Sequence, residues 1–209
     1  MKIVAFSDTH SLHQKVEIPK ADLLIFAGDM SICKTVQDVQ GFNEFLKTLP
    51  HRYKIVVGGN HDHLLAYSPE IGHELLRDAI YLQDSAVNIE GIKIYGSPWQ
   101  PTFNTKACSA FALPRGETIR KKWDLIPADT DILITHSPPC GIMDEDGGVS
   151  HGCSDLLERV QQIQPTFHIF GHIHNHNGIQ SIGKTSYINC NVKAKNGIVR
   201  PALAFDYPS

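Results

Sequence analysis

Five short apolar runs constrain this chain more than anything else in it: Lys2–Phe6, Leu23–Ala27, Lys54–Val57, Asp131–Thr135 and Phe167–Phe170. Turn-forming residues bound the runs, and none alternates apolar with polar positions. A strand that is apolar throughout has both faces covered, as strands do in a largely parallel sheet held between other layers. Between the runs lie segments of helical period. Val36–Leu49 puts Val36, Val39, Phe42, Phe45, Leu46 and Leu49 on one stripe, and a second segment covers about Gly116–Leu125. A third starts at the N-cap candidates Ser154 and Asp155 and runs through Leu156, Leu157, Val160 and Ile163 to the breaker Pro165. Two further pairs, Ala86–Ile89 with Ile92–Tyr95 and Ile179–Ile182 with Thr185–Cys190, each flank a two-residue turn, which is hairpin spacing. Antiparallel strands therefore join a parallel core, and the chain is an α/β protein with a mixed sheet or two packed sheets. With 209 residues, no repeat and no Gly/Ser linker, residues 1–209 read as one domain.

Composition excludes several classes. Nineteen Lys and Arg stand against 22 Asp and Glu, a net charge of −3, so no stable nucleic-acid partner held by bulk positive charge is expected. No apolar run approaches the roughly 18–20 residues that span a bilayer, and no membrane partner is expected either. The first residues turn polar by Ser7, too early for a secretory signal. Five cysteines (Cys33, Cys108, Cys140, Cys153 and Cys190) show no C-x-x-C spacing and read as reduced thiols. The expectation is a cytoplasmic protein. Oligomeric state has no handle in the sequence.

The chemistry lies in the residues just past each buried run. Asp8 and His10 stand after the first, Gly28-Asp29 after the second, and Gly58-Gly59-Asn60-His61-Asp62 after the third. His136 stands after the fourth, and Gly171-His172-Ile173-His174 after the fifth. In open α/β sheets, ligands bind outside the carboxyl ends of the strands, so five strand ends deliver oxygen and imidazole donors to one rim. Such a set without cysteine suits Mn, Fe, Zn or Ni rather than a thiolate zinc site. The spacings fit two metals. In Asp8-x-His10 and His172-x-His174 the paired residues point to the same side, and the two oxygens of Asp29 can bridge cations held roughly 3.5–4 Å apart.

The ordered set Asp8-x-His10, Gly28-Asp29, Gly58-x-Asn60-His61-Asp62, His136 and Gly171-His172-x-His174 resembles the calcineurin-like metallophosphoesterase superfamily. Further blocks (Ser7–Ser11, Gly96–Pro101, Leu113–Gly116, Pro138-Pro139-x-Gly141 and Gly152-Cys153) resemble its small metallophosphoesterase-domain proteins, grouped with class III cyclic nucleotide phosphodiesterases. The resemblance runs from residue 2 to about 206 and implies a four-layer α/β/β/α sandwich of two mixed sheets flanked by helices. It implies one metal on Asp8, His10, Asp29 and His174, and a second on Asp29, Asn60, His136 and His172, with Asp29 bridging. The cofactors expected are two divalent transition-metal ions, Mn2+ first, with Fe, Zn, Ni or Co as alternatives. His61 would face the leaving group.

Physical chemistry supplies the reaction. Two cations lower the pKa of a shared water, so that a bridging hydroxide attacks phosphorus while His61 protonates the departing oxygen. Asp62 is the candidate to orient that imidazole. Phosphomonoesters are dianions and usually meet arginine clamps, yet the ligand loops offer none; only Arg115 and Lys34 are near candidates. This favours a phosphodiesterase acting on a small-molecule substrate, and the subgroup resemblance implies a cyclic nucleotide or an aryl phosphodiester. The alternatives are a phosphomonoesterase and a non-catalytic protein-binding scaffold of the same fold. His151, His13 and Trp99 are the candidate substrate contacts, with His63 and Phe103 behind them. Three positions depart from the subgroup pattern: Thr102 for a tryptophan, Ser137 for a glycine and Asn175 for an acidic residue. They leave the metal ligands intact and touch the pocket wall.

Overall fold

The structure is a computed structural model describing residues 1–32, 34–102 and 110–208. Among these residues the strands run, in chain order, β1 (Lys2–Phe6), β2 (Leu23–Ala27), β3 (Tyr53–Val57), β4 (Ile80–Tyr81), β5 (Ser85–Ile89), β6 (Ile92–Ser97), β7 (Gln100–Pro101) and β8 (Ala112–Leu113). They continue with β9 (Ile132–Thr135), β10 (Glu145–Asp146), β11 (Val149–Ser150), β12 (Phe167–Phe170), β13 (Gly178–Ile182), β14 (Thr185–Asn189) and β15 (Leu203–Asp206). The helices are α1 (Val36–Thr48), α2 (His63–Tyr67), α3 (Pro69–Leu75), α4 (Glu117–Trp123) and α5 (Ser154–Ile163).

Two mixed sheets result. The first has the order β15-β1-β2-β3-β4, parallel except where β15 pairs antiparallel with β1. The second has the order β13-β14-β12-β9-β6-β5, with a parallel centre closed by an antiparallel hairpin at each edge.

The apolar runs are continuous because each strand feeds two cores. In β1, Ile3 and Ala5 face the second sheet, where they pack with Ile94, Ile132, Ile134, Ile169 and Ile188. Their alternates Val4 and Phe6 face outward, against Val39, Phe42, Phe45 and Leu46 of α1. The outer face of the second sheet carries Tyr95, Leu133, Phe170 and Tyr187 against Ile119 and Trp123 of α4 and Leu156 and Val160 of α5. The layers are therefore α/β/β/α. Each fully buried aliphatic or aromatic side chain in them stabilises the fold by about 1.5–3 kcal/mol.

The two sheets meet at their carboxyl rims. Ser7, just past β1, donates its N–H to Cys190 O at 3.1 Å, and its carbonyl accepts Val192 N–H at 3.2 Å. That seam places the loop ends of both sheets side by side.

Some local expectations change. The N-cap of α5 is Cys153, with no side-chain cap, because Asp155 turns away to accept Gly116 N–H at 3.1 Å and the Arg120 guanidinium at 2.9 Å. The box that does cap a helix is Thr35 with Asp38 at α1, each satisfying the other's backbone N–H. Cys140, Cys153 and Cys190 are free thiols; Cys33 and Cys108 lie outside the described residues. No helix among the described residues is long and apolar enough to cross a membrane.

Candidate metal centre

Three loops of the first sheet and two of the second build the site. Asp8 and His10 follow β1, Asp29 follows β2, and Asn60 and His61 follow β3; His136 follows β9, and His172 and His174 follow β12. Four of these residues take left-handed backbone conformations: Asp8, His10, Asp29 and His172 have φ of 57°, 42°, 64° and 68°. Each costs roughly 1–2 kcal/mol for a residue with a Cβ. The loops hold one another in place against that cost. Asp8 N–H donates to Gly28 O at 2.9 Å, His10 N–H to Asp29 O at 3.1 Å, and His172 N–H to Asp8 Oδ2 at 3.0 Å. The approach is so close at Gly171 that a Cβ there would collide with Ser7 Oγ and the Asp8 carboxylate.

Asp62 is fully buried, and its carboxylate ties the loops together. Oδ2 accepts Gly59 N–H at 2.8 Å and Asp29 N–H at 2.9 Å, while Oδ1 accepts Met30 N–H at 3.2 Å. Asp62, expected to orient the His61 imidazole, spends all three of these bonds on backbone. Burial first, then the nearby charge of Asp29, pushes its pKa up to about 8.

The donor atoms converge. Asp29 Oδ2 stands 3.5 Å from His136 Nε2 and 3.8 Å from Nε2 of both His10 and His61. His174 Nε2 lies 3.5 Å from Asp8 Oδ1 and 3.3 Å from His10 Nε2. Three overlapping clusters (Asp8, His10, His174; His10, Asp29, His61; and Asp8, Asp29, His136) each gather their ligand atoms within 4.8 Å.

The residues present fit divalent cations, and Asn60 shows why. His136 Nδ1 is 2.8 Å from Ala27 O, and a carbonyl only accepts, so Nδ1 carries the hydrogen. In the neutral ring the Nε2 lone pair then points at Asn60 Oδ1, 2.8 Å away, and that same oxygen is 2.8 Å from His172 Nδ1. Once His136 gives up its second proton, its Nε2 lone pair and the amide oxygen of Asn60 face a common point, which suits a metal ion. The Nδ1–H to carbonyl bond is the outer support that ligating imidazoles commonly have.

Without a cation, a proton on His136 supplies the positive charge that the carboxylates call for. Burial opposes the charged form of His136, yet the carboxylates of Asp29 and Asp8 outweigh it and raise its pKa to about 10. Burial raises the Asp29 pKa, but His136, His61 and His10 together hold it well below the carboxylate range. Burial, against weaker pulls from Asp29 and Asp8, lowers His10 to about 4 and His172 to about 3, so both rings carry lone pairs at neutral pH.

An open cleft of about 790 Å³ lies over the centre, lined by Asp29, Asn60, His61, His172 and His174 on its floor and by Thr102, Arg115, Asp146, Ser150, His151 and Lys195 further out. The structure thus brings together all seven expected ligands, His61 and His151. Two candidate contacts are elsewhere. His13 packs its ring on Phe42 and Phe45, at 5.4 and 4.8 Å, because its short turn (His13–Lys15) lies over α1. Trp99 donates Nε1–H to Asp84 at 2.8 Å, sits edge-on to Phe111 and carries Lys122 Nζ 4.2 Å over its ring, all of it packing. His63 stacks on Tyr67, and Phe103 lies outside the described residues. Asp146, Ser150 and Lys195 carry no functional signal in the sequence; the Gly147-Gly148 pair, a hairpin signal, is the one clue to that wall.

The model of the calcineurin-like phosphoesterase family matches residues 1–176. This chain belongs to that family. It is 40% identical to the human metallophosphoesterase domain-containing protein 1 over all of its own length and 71% of the relative's. Among solved structures, the phosphopantetheinyl hydrolase PptH of Mycobacterium tuberculosis superposes with a TM-score of 0.68 at 12% identity, covering 94% of this chain and 90% of that one. The protein TT1561 of Thermus thermophilus gives 0.61 at 14% identity, covering 91% and 88%. At such identities these two likenesses speak for the fold. The calcineurin-like fold and a cluster of His and Asp residues able to hold a dinuclear metal centre together make a metal-dependent hydrolase chemically reasonable.

Proposed function

We propose that this calcineurin-like phosphoesterase is a dinuclear-metal-dependent phosphodiesterase acting on small diesters, such as cyclic nucleotides or aryl phosphodiesters. The observation that carries the reading is how little uncommitted positive charge the described residues bring to the cleft. Among the described residues it is lined by one arginine and one lysine. Arg115 donates to the carbonyls of Gly152 at 2.8 Å and His151 at 3.3 Å, and Lys195 is paired with Asp146. Lys34 is not among the lining residues. A diester carries a single charge and suits such a cleft; a monoester dianion calls for clamps. His61, whose Nε2 stands 3.8 Å from Asp29 Oδ2 on the cleft floor, is the proton donor to the departing oxygen. When bound, two divalent ions (Mn2+ is the first to try) supply Lewis acidity at the phosphoryl oxygens and acidify water.

Rates on bis(p-nitrophenyl) phosphate and p-nitrophenyl phosphate, using metal-stripped protein resupplied with Mn2+, test this directly. Metal-dependent diester turnover above monoester turnover, falling about 10²–10⁴-fold in His61→Ala with metal content kept, is the expected result. A monoester preference would move the reading to a phosphatase. No turnover of either ester by metal-loaded protein would move it to a scaffold.

A further inference from the structure

The β10–β11 hairpin forms the outer wall of the cleft and turns on Gly147 and Gly148, both with positive φ. Its base is fastened from inside. Buried Asp144 accepts Ser150 Oγ–H and, at 3.1 Å, Gly152 N–H, and its carbonyl accepts His151 N–H at 2.9 Å. β10 itself is fastened again at Asp146. Asp146 Oδ1 accepts Asn175 Nδ2–H at 2.6 Å and also the Lys195 ammonium. Asn175 directly follows the ligand His174, and Lys195 comes from the segment after β14. The hairpin is therefore tied to the metal loop through a single carboxylate oxygen. Asn175, which departs from the expected acid, suits this tie: an ionised acid there offers only acceptors and would repel Asp146, whereas the amide donates.

We propose that Asp146 is a positioning residue whose clasp by Asn175 and Lys195 fixes the hairpin wall against the metal cage and thereby limits the second ester arm that the cleft admits. The inference rests on the phosphodiesterase reading and deepens it. One arm of the diester leaves beside His61; the other meets Ser150, His151 and Thr102, and the hairpin sets the place of the first two. A lone, partly exposed ion pair adds little to global stability, but two charge-assisted bonds on one oxygen hold a ribbon whose turn is glycine.

The test compares Asp146→Ala, which removes the clasp, with Asp146→Asn, which keeps an acceptor oxygen for both donors. The substrates are bis(p-nitrophenyl) phosphate and methyl p-nitrophenyl phosphate, which share a leaving group and differ in the second arm. Asp146→Ala is expected to shift the ratio of their kcat/KM values about tenfold toward the larger ester, through KM, while Asp146→Asn keeps the ratio within about threefold. Hydrogen exchange over residues 145–151 is read in the same proteins and is expected to speed up about tenfold in the alanine variant alone. Unchanged exchange in Asp146→Ala overturns the clasp. Faster exchange with an unchanged ratio overturns its role in selectivity. A ratio shifted equally in both variants assigns the effect to charge and overturns positioning. Wild-type protein that turns over neither diester sinks the phosphodiesterase reading instead, and exchange still decides the clasp.

Discussion

The carboxylate of Asp62 accepts the backbone N–H of Asp29 at 2.9 Å, so the residue expected to bridge two metals is held by a second, fully buried acid. The same carboxylate holds Gly59 and Met30, which makes it the knot between the loops after β2 and β3. Asp62→Ala leaves three N–H groups without that acceptor and is expected to cost about 3 kcal/mol or more, since each buried donor left unmet costs roughly 1–3 kcal/mol. Metal retained per chain should fall with stability, and Asp62→Asn should fall between. Urea unfolding and metal analysis of purified protein check this. A variant as stable as wild type, but slow only in turnover, would return Asp62 to the role of orienting His61.

Much of the centre is legible in the sequence because each ligand block directly follows a buried run, and strand ends are where an α/β sheet exposes its chemistry. The division of labour is not legible. That Asp8, Asp29 and Asn60 come from one sheet and His136, His172 and His174 from another depends on the seam at Ser7 and Cys190, a contact spanning most of the chain. His13 and Trp99 mislead for a related reason: an aromatic or imidazole near a ligand loop looks like a substrate contact until its partners are known. Those partners, Phe42 and Phe45 for one and Asp84 for the other, are 15 or more residues distant. Asp146 and Lys195 stay hidden because their pairing joins two segments without periodicity. The left-handed backbone of four ligands also leaves no trace in residue type, since aspartate and histidine are ordinary choices for a metal ligand.

Gly171→Ala should damage the cage without touching a ligand. Its Cβ would collide with Ser7 Oγ and Asp8, and both are pinned by backbone hydrogen bonds of the first loop. Overpacking of this kind costs typically about 1–3 kcal/mol, and here the displaced atom belongs to a candidate metal ligand. Metal affinity measured by competition with a chelator is expected to drop at least about tenfold. Gly41→Ala is the control: nothing lies within 4 Å of the added methyl in α1, and the change should stabilise the helix by about 0.5–1 kcal/mol. Wild-type metal affinity in Gly171→Ala would mean that the first loop yields more readily than the packing indicates.

Metal removal should be visible in stability as well as in rate. A cage of clustered carboxylates and imidazoles gains on binding a cation, and a ligand at 100 times its Kd stabilises the native state by about 2.7 kcal/mol. Thermal melts of stripped protein titrated with Mn2+ should therefore rise with concentration, and His136→Ala should blunt the rise. Melts that do not respond to Mn2+, Zn2+ or Fe2+ would argue that these residues form a purely structural cluster.

His168 gives a pH dependence apart from the cage. It is fully buried in β12, with Nε2 2.9 Å from Thr135 Oγ1 and no partner for Nδ1 among the described residues, and burial lowers its pKa from 6.5 to about 3. Because the folded-state value lies below the unfolded one, the unfolded chain binds the proton first as pH falls. The contribution of the neutral ring is thus intact above about pH 6.5 and is lost at about 1.4 kcal/mol per unit as pH drops toward 3. His168→Phe removes the titration while keeping an aromatic ring in the layer. Between pH 6.5 and 5, metal-stripped wild type is expected to lose about 2 kcal/mol more than the variant. Urea unfolding of both proteins at the two pH values measures the difference. Parallel losses would show that another group carries the acid sensitivity, and that His168 stays close to its ordinary pKa in the folded protein.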